Sequence, residues 1–375
     1  MPRFDYRRHL AALAADPPHW PERTDAISLL ALDLTIGRGG LASVLPPQRL
    51  RLEVLDYPGE WLLDLPLLRL SYKAWSEATL ARLESRPEAA EFLAFALALP
   101  ASGPAHDQLA ATGHRLYCEA LHRLREEAGL SFLQPGRFLM PAPGLEPPWM
   151  GFFPARTGGG FGALLAQRYA SYGESIRESL VSPLFGSVDR LVVLADLLTA
   201  LHAGPAAFAD ARVALGAAAA ALSHPQGWLG WLASLVGLGA SPITRIAYAA
   251  TKADHVGSRQ RANLAQLLRA LTGAERQGGV PTAHFALAAI ACTEDATWTL
   301  EGRAVSAVRG RMPGRGLALS YPGEVPPTPP DAGFWDHAFY SLPEFEPKRL
   351  ADGGRRGMPQ QGLDTLLVFL LGDML

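Results

Sequence analysis

The chain has 375 residues, 49% of them hydrophobic and 19% charged, with a formal net charge of −2. Enough apolar material is present to fill a sizeable core, which excludes global disorder, and the near-neutral charge gives no electrostatic case for binding nucleic acid. The length suits one large domain or two ordinary ones.

Cys118 and Cys292 are the only cysteines, so neither a disulfide framework nor a cysteine-based metal site is expected. The N-terminus, MPRFDYRRHL, has no apolar signal core, and no apolar run reaches the roughly 18–20 residues of a membrane span. The expectation is a soluble, cytoplasmic, globular protein without a transmembrane segment.

In chain order, AISLLALDL (26–34) and RLRLEVLD (49–56) read as strands. The second alternates apolar and charged residues through Leu50, Leu52 and Val54, as a half-exposed strand does. Residues 61–188 carry little strand character. Three stretches there, 67–83, 105–129 and 161–185, show helical apolar spacing, and proline- and glycine-rich loops separate the last two. This region reads as a helical insertion. Short apolar runs return in DRLVVLADLL (189–198), ITRIAYAATKAD (243–254) and HFALAAIACT (284–293), as in strands buried on both faces of a parallel sheet.

Helical stretches at 204–222 and 258–273 separate those runs. Residues 297–311 read as a late β-hairpin and 363–375 as a closing helix. Strand–helix–strand–helix–strand is doubly wound α/β grammar. The expected fold is therefore an α/β, doubly wound and mostly parallel sheet with a large helical insertion. Its divisions are 1–60, the start of the sheet domain; 61–188, the insertion; and 189–375, the rest of the sheet domain. GWLGWLASLVGLGA (227–240), with Trp228 and Trp231, is apolar nearly all round. It reads as a buried helix, with an exposed partner- or membrane-facing patch as the alternative.

LDYPGEW (55–61) raises the functional question. Asp56 stands at the end of a strand, where a carboxylate can hold a Mg²⁺-bound water. The Gly59 N–H can approach a terminal phosphate, because glycine has no side chain to block it. Glu60 sits where a residue orients the attacking water. The bland alternative is a tight Pro-Gly turn.

In ATKADH (250–255), Asp254 can accept two hydrogen bonds from a guanine edge and Lys252 can lay its stem across the base. The alternative is a helix start capped by Asp254. Asp196 faces the same crevice or caps the following turn. His255 reads as structural. The second YPGE, at 321–324, runs into VPPTPP and reads as a turn. A phosphate cradle, G-x-x-x-x-G-K-[ST], is missing from these residues: the only lysines are Lys73, Lys252 and Lys348, and none follows a glycine.

PRFDY, DPPHWP, LDYPGEWLLDLPLL, QPGRFLMP, GPAAFADARVAL, AATKADH, YPGEVP, FWD and LDTLLVFLLGDML occur in this order along the whole chain. The sequence thereby resembles the YcjX-like family, bacterial P-loop proteins described as ATPases and as GTPase-like stress proteins. The resemblance implies a P-loop NTPase-like fold, with GTP or GDP as ligand, ATP less so, and Mg²⁺. Asp56 would serve the metal, Gly59 the phosphate and Glu60 the catalytic water, with Thr251, Lys252 and Asp254 reading the base. Thr251 stands where standard GTPases have asparagine.

Family context further suggests a stress role beside an inner-membrane protein, peripheral to that membrane. Family members carry an additional first strand, phosphate loop and helix ahead of this sequence. The expectation is an N-terminally truncated chain that itself binds nucleotide poorly, in which the strands ending at Asp56 and Asp196 lack the neighbour between them. A non-catalytic interaction protein docking through the insertion is the alternative function.

Overall fold

The computed structural model describes residues 3–21, 27–37, 46–140, 151–181, 188–222, 243–273, 276–277, 279–336, 342–350, 354 and 357–374. Trp228, Trp231 and the rest of the apolar stretch 227–240 lie outside the described residues.

Helix α1 (Tyr6–Ala14) starts where the Asp5 carboxylate accepts the Arg8 N–H. Strands β1 (Ser28–Ile36) and β2 (Gln48–Asp56) form an antiparallel ribbon whose register sets Ser28 opposite Asp56. The chain then enters a mainly helical region through α2 (Gly59–Leu62) and a 3₁₀ turn at Leu65–Arg69. There follow α3 (Tyr72–Leu83), α4 (Ala90–Leu97), the two-residue β3 (Ser102–Gly103), α5 (Asp107–Glu126) and α6 (Gly159–Ile176).

Helix α5 illustrates why these form. His106 caps its start, Asp107 lies in its first turn and Arg123 and Arg125 in its last, which suits the helix dipole. Its buried residues Ala110, Gly113, Tyr117, Ala120, Leu121 and Leu124 recur at helical spacing. Gly113 is required, since a Cβ there would sit 2.2 Å from the Phe153 ring. Trp75, Phe92, Phe138, Phe152, Tyr169 and Tyr172 fill the interior as tilted and edge-to-face aromatic pairs.

The sheet part follows with β4 (Arg190–Ala195), α7 (Leu197–Ala203), α8 (Pro205–Leu222), β5 (Arg245–Ala250), α9 (Ser258–Thr272), β6 (Arg276–Gln277) and β7 (Val280–Ala286). Strands β4, β5 and β7 are parallel neighbours, and the short β6 adds antiparallel to β7. Strand β5 is nearly all buried because both its faces are covered. Ile246, Tyr248 and Ala250 join the core with Leu264, Leu267 and Leu268 of α9, while Ala247 and Ala249 pack with Leu366 and Leu370 of the closing helix α10 (Leu363–Leu371).

Between these lie β8 (Thr293–Leu300), β9 (Arg303–Met312) and β10 (Gly316–Ser320), a separate antiparallel sheet. The two-residue Glu301–Gly302 loop joining β8 and β9 has positive φ at both positions, 50° and 79°, as a primed hairpin turn requires.

The chain is thus mixed α/β, with a parallel sheet and helices on both its faces. One expectation is corrected. The last parallel strand is Val280–Ala286 rather than 284–293. The apolar run 287–292 leaves the ladder because its backbone bonds elsewhere: Leu287 N–H donates to Ala250 O, Ala288 pairs with Gln361, and Cys292 N–H donates to a side chain. Strands β2 and β4 do not pair; each lies at the edge of its own sheet.

Candidate nucleotide site

Strands β4 and β5 end side by side, and the turns beyond them bring the second motif together. Thr251 donates its N–H, at 2.9 Å, and its hydroxyl, at 3.3 Å, to Ala195 O, which ties the two strand ends. Lys252 adopts the left-handed region, φ 59°, a conformation a long side chain takes only where its surroundings enforce it. Its Nζ lies 2.7 Å from Asp196 Oδ2 and 2.9 Å from Thr199 Oγ1. The lysine stem therefore runs across the end of β4. Asp196 does both things open to it: it caps α7 through the Thr199 N–H and it pairs with Lys252.

Asp254 lies in a 3₁₀ turn, Ala253–His255, and is only 2% exposed. It is not the cap of α9, whose N-cap residue is Gly257 and whose Ser258 N–H is taken by Asp295. Asp254 Oδ2 instead accepts the Cys292 N–H at 2.7 Å and the Cys292 thiol at 3.0 Å, and the Thr293 hydroxyl donates to Asp254 O. Oδ1 has no hydrogen-bond partner among the described residues. The loop after β7 thus locks one carboxylate oxygen and leaves the other to present.

Burial, with the Asp254 charge and hydrogen bond, pushes the Cys292 thiol far above its ordinary pKa. His255 sits edge-on to Phe345, and burial lowers its pKa more than Asp254 raises it.

The first motif is placed differently. Asp56 ends β2 half-buried, with no described partner for its carboxylate. Gly59 faces open space, since a Cβ there would meet nothing within 4 Å. A carboxylate without a partner next to an open backbone N–H fits a hydrated Mg²⁺ and a phosphate oxygen. Glu60 is already engaged, with Oε1 2.8 Å from an Arg125 nitrogen of α5. No described hydrogen bond or ion pair joins this group to the Thr251–Asp254 group. The second YPGE is irregular loop rather than a regular turn, with the Tyr321 hydroxyl donating to Glu324 at 2.6 Å and Gly323 at φ 102°.

Sequence reasoning missed what anchors the first motif. Asp64, fully buried, accepts Gly136 N–H at 2.6 Å, Arg137 N–H at 3.2 Å and the Tyr172 hydroxyl at 2.6 Å. Arg137, also fully buried, stacks over Trp61 and donates to Ser175 and Ser179. Trp61 Nε1 donates to Met140 O. The QPGRFLM loop is thereby clamped onto the WLLD segment. A lone aspartate and a lone arginine in apolar surroundings were the available signal, because buried charges must be paired.

Thr251, Lys252 and Asp254 thus stand just beyond the carboxyl end of β5, beside the end of its parallel neighbour β4, the edge of the sheet where α/β proteins gather their ligands. The family profile of the YcjX-like family, DUF463, matches residues 1–375, and the chain belongs to that family. It is 33% identical over 397 aligned positions to Ras-like GTPase YcjX of Escherichia coli, covering 100% of this chain and 84% of that protein. A protein of the same name from Shewanella oneidensis is 32% identical, over 99% of this chain and 81% of its own length. No described helix is long and apolar enough to cross a membrane.

Proposed function

We propose that this chain is the body of a GTPase-like nucleotide-binding protein with a P-loop-type fold. Its ligand is GTP or GDP with Mg²⁺, ATP being the weaker alternative. Asp254, steered by Cys292, accepts hydrogen bonds from the guanine edge through Oδ1, and Thr251 and Lys252 shape the floor of that site. Asp56 holds a water of the metal, Gly59 offers its N–H to the terminal phosphate and Glu60 orients water after releasing Arg125. The metal would supply charge neutralisation at the phosphates.

The presentation of Asp254 carries this reading. An adenine offers no pair of donors to that carboxylate and would leave it desolvated and unpaired. The family membership and the naming of two relatives as Ras-like GTPases support it.

The test is displacement of a fluorescent guanine nucleotide by GDP and by ADP, with Mg²⁺, from this chain and from Asp254→Ala. At nucleotide concentrations up to millimolar, needed because this chain lacks the lysine-bearing cradle, GDP should compete better than ADP, and Asp254→Ala should remove that preference. Equal competition by GDP and ADP in the parent chain would overturn the reading.

A further inference from the structure

Asp254, His255 and Cys292 bring a carboxylate oxygen, an imidazole nitrogen and a sulfur within 4.8 Å of one another. Cys292 Sγ lies 3.0 Å from Asp254 Oδ2 and 3.9 Å from His255 Nε2. Around one tetrahedral cation with metal–sulfur bonds near 2.3 Å and metal–nitrogen or –oxygen bonds near 2.1 Å, such ligand atoms stand about 3.5 Å apart. The two sulfur separations fall on either side of that value by about half an ångström, and the carboxylate and imidazole atoms lie within 4.8 Å of one another, so seating an ion requires drawing that pair together.

The imidazole is free to turn toward an ion: Nε2 faces the sulfur at 3.9 Å, and Nδ1 is buried with no hydrogen-bond partner among the described residues. The ring touches Phe345 edge-on and the sulfur only weakly, so no strong hydrogen bond fixes which nitrogen it offers.

We propose that these three residues form a binding site for a borderline-soft divalent cation of the zinc type, with the fourth position open. Sulfur and imidazole exclude magnesium and calcium as preferred occupants, since those ions take oxygen. On binding, the thiol proton now shared with Asp254 Oδ2 leaves to solvent, the thiolate and the imidazole each donate an electron pair to the metal, and nothing is oxidised or reduced. Asp254 and Cys292 are nearly inaccessible and His255 is half-buried, so the ion enters beside the imidazole. The neighbouring cation Lys252 is neutralised by Asp196. The site shares Asp254 and Cys292 with the reading above but needs no nucleotide, so metal binding measured without nucleotide tests it separately.

Co²⁺ alone, titrated into the full chain, is the probe. The expected result is one equivalent giving tetrahedral ligand-field bands and a thiolate-to-cobalt charge-transfer band, bleached by Zn²⁺. The charge-transfer band should vanish in Cys292→Ser and persist in Cys118→Ser, and His255→Gln should weaken binding at least about tenfold, with circular dichroism confirming that each variant is folded. Absence of the thiolate band in the parent chain, or its survival in Cys292→Ser, would overturn the proposal.

Discussion

Two residues set the geometry of the first motif from outside it. Gly136 approaches so closely that a Cβ would lie 2.0 Å from Glu60 O, a backbone atom that cannot swing away. Gly136→Ala should destabilise the protein by about 3 kcal/mol, at the upper end for overpacking, and chemical denaturation would show it.

Asp64 makes a different prediction. Burial raises its pKa to about 6, against the pull of the Tyr172 and Gly136 hydrogen bonds and the Arg137 charge. A carboxyl with a folded pKa above its unfolded value of 3.8 binds its proton more tightly when folded. Its stabilising contribution is therefore complete below about pH 4 and lost as pH rises through about 6, a change of about 3 kcal/mol. Unfolding free energies between pH 4 and 7 should fall less steeply in Asp64→Asn than in the parent. Identical slopes would mean that the donors around Asp64 cancel the effect of its burial.

At the level of elements, β4 is the exposed side of the parallel sheet. Val192 and Leu194 stand in register with Ala247 and Ala249 of β5, which α10 covers, yet Leu194 is 62% exposed. The apolar face thus continues past the helix that buries its neighbour, beside an edge with no partner strand among the described residues. An edge of this kind recruits other chains. Leu194→Lys should raise the concentration at which light scattering first appears, while changing stability by no more than about 0.5 kcal/mol.

β2 and β4 are moored at one place, since Gln48 donates to Met374 O and Arg190 to Leu370 O, both at the end of α10. They begin together without pairing.

Across the whole molecule, the two motifs are held by different elements, although one continuous core joins those elements. Thr251–Asp254 is built into the parallel sheet and the loop after it, whereas Asp56–Glu60 leads into the helical region and is held there by Arg125, Asp64 and Arg137. Ligand contacts at Glu60 would act directly on α5. The 375 residues hold no lysine-bearing phosphate cradle, which normally contributes most of the phosphate affinity. Calorimetric titration of this chain with GDP and Mg²⁺ should therefore show binding weaker than micromolar. Submicromolar affinity would mean that other residues replace the cradle.

Periodicity and composition by themselves determined the element types: the strand Gln48–Asp56, the helices at 205–222 and 258–272, and the burial of Arg245–Ala250 all follow from local spacing of apolar side chains. The motif residues were legible for the same reason, since DYPGE and TKADH are contiguous in the chain. Tertiary structure alone decided what each of them touches. That Cys292 grips Asp254 across 38 residues, that Arg125 holds Glu60 across 65, and that Gly136 and Arg137 meet Asp64 are contacts between segments remote in sequence. No local pattern encodes such contacts, because they arise only when burial of the aromatic core and of the sheet faces forces those segments together, and buried charges then take the partners that packing supplies.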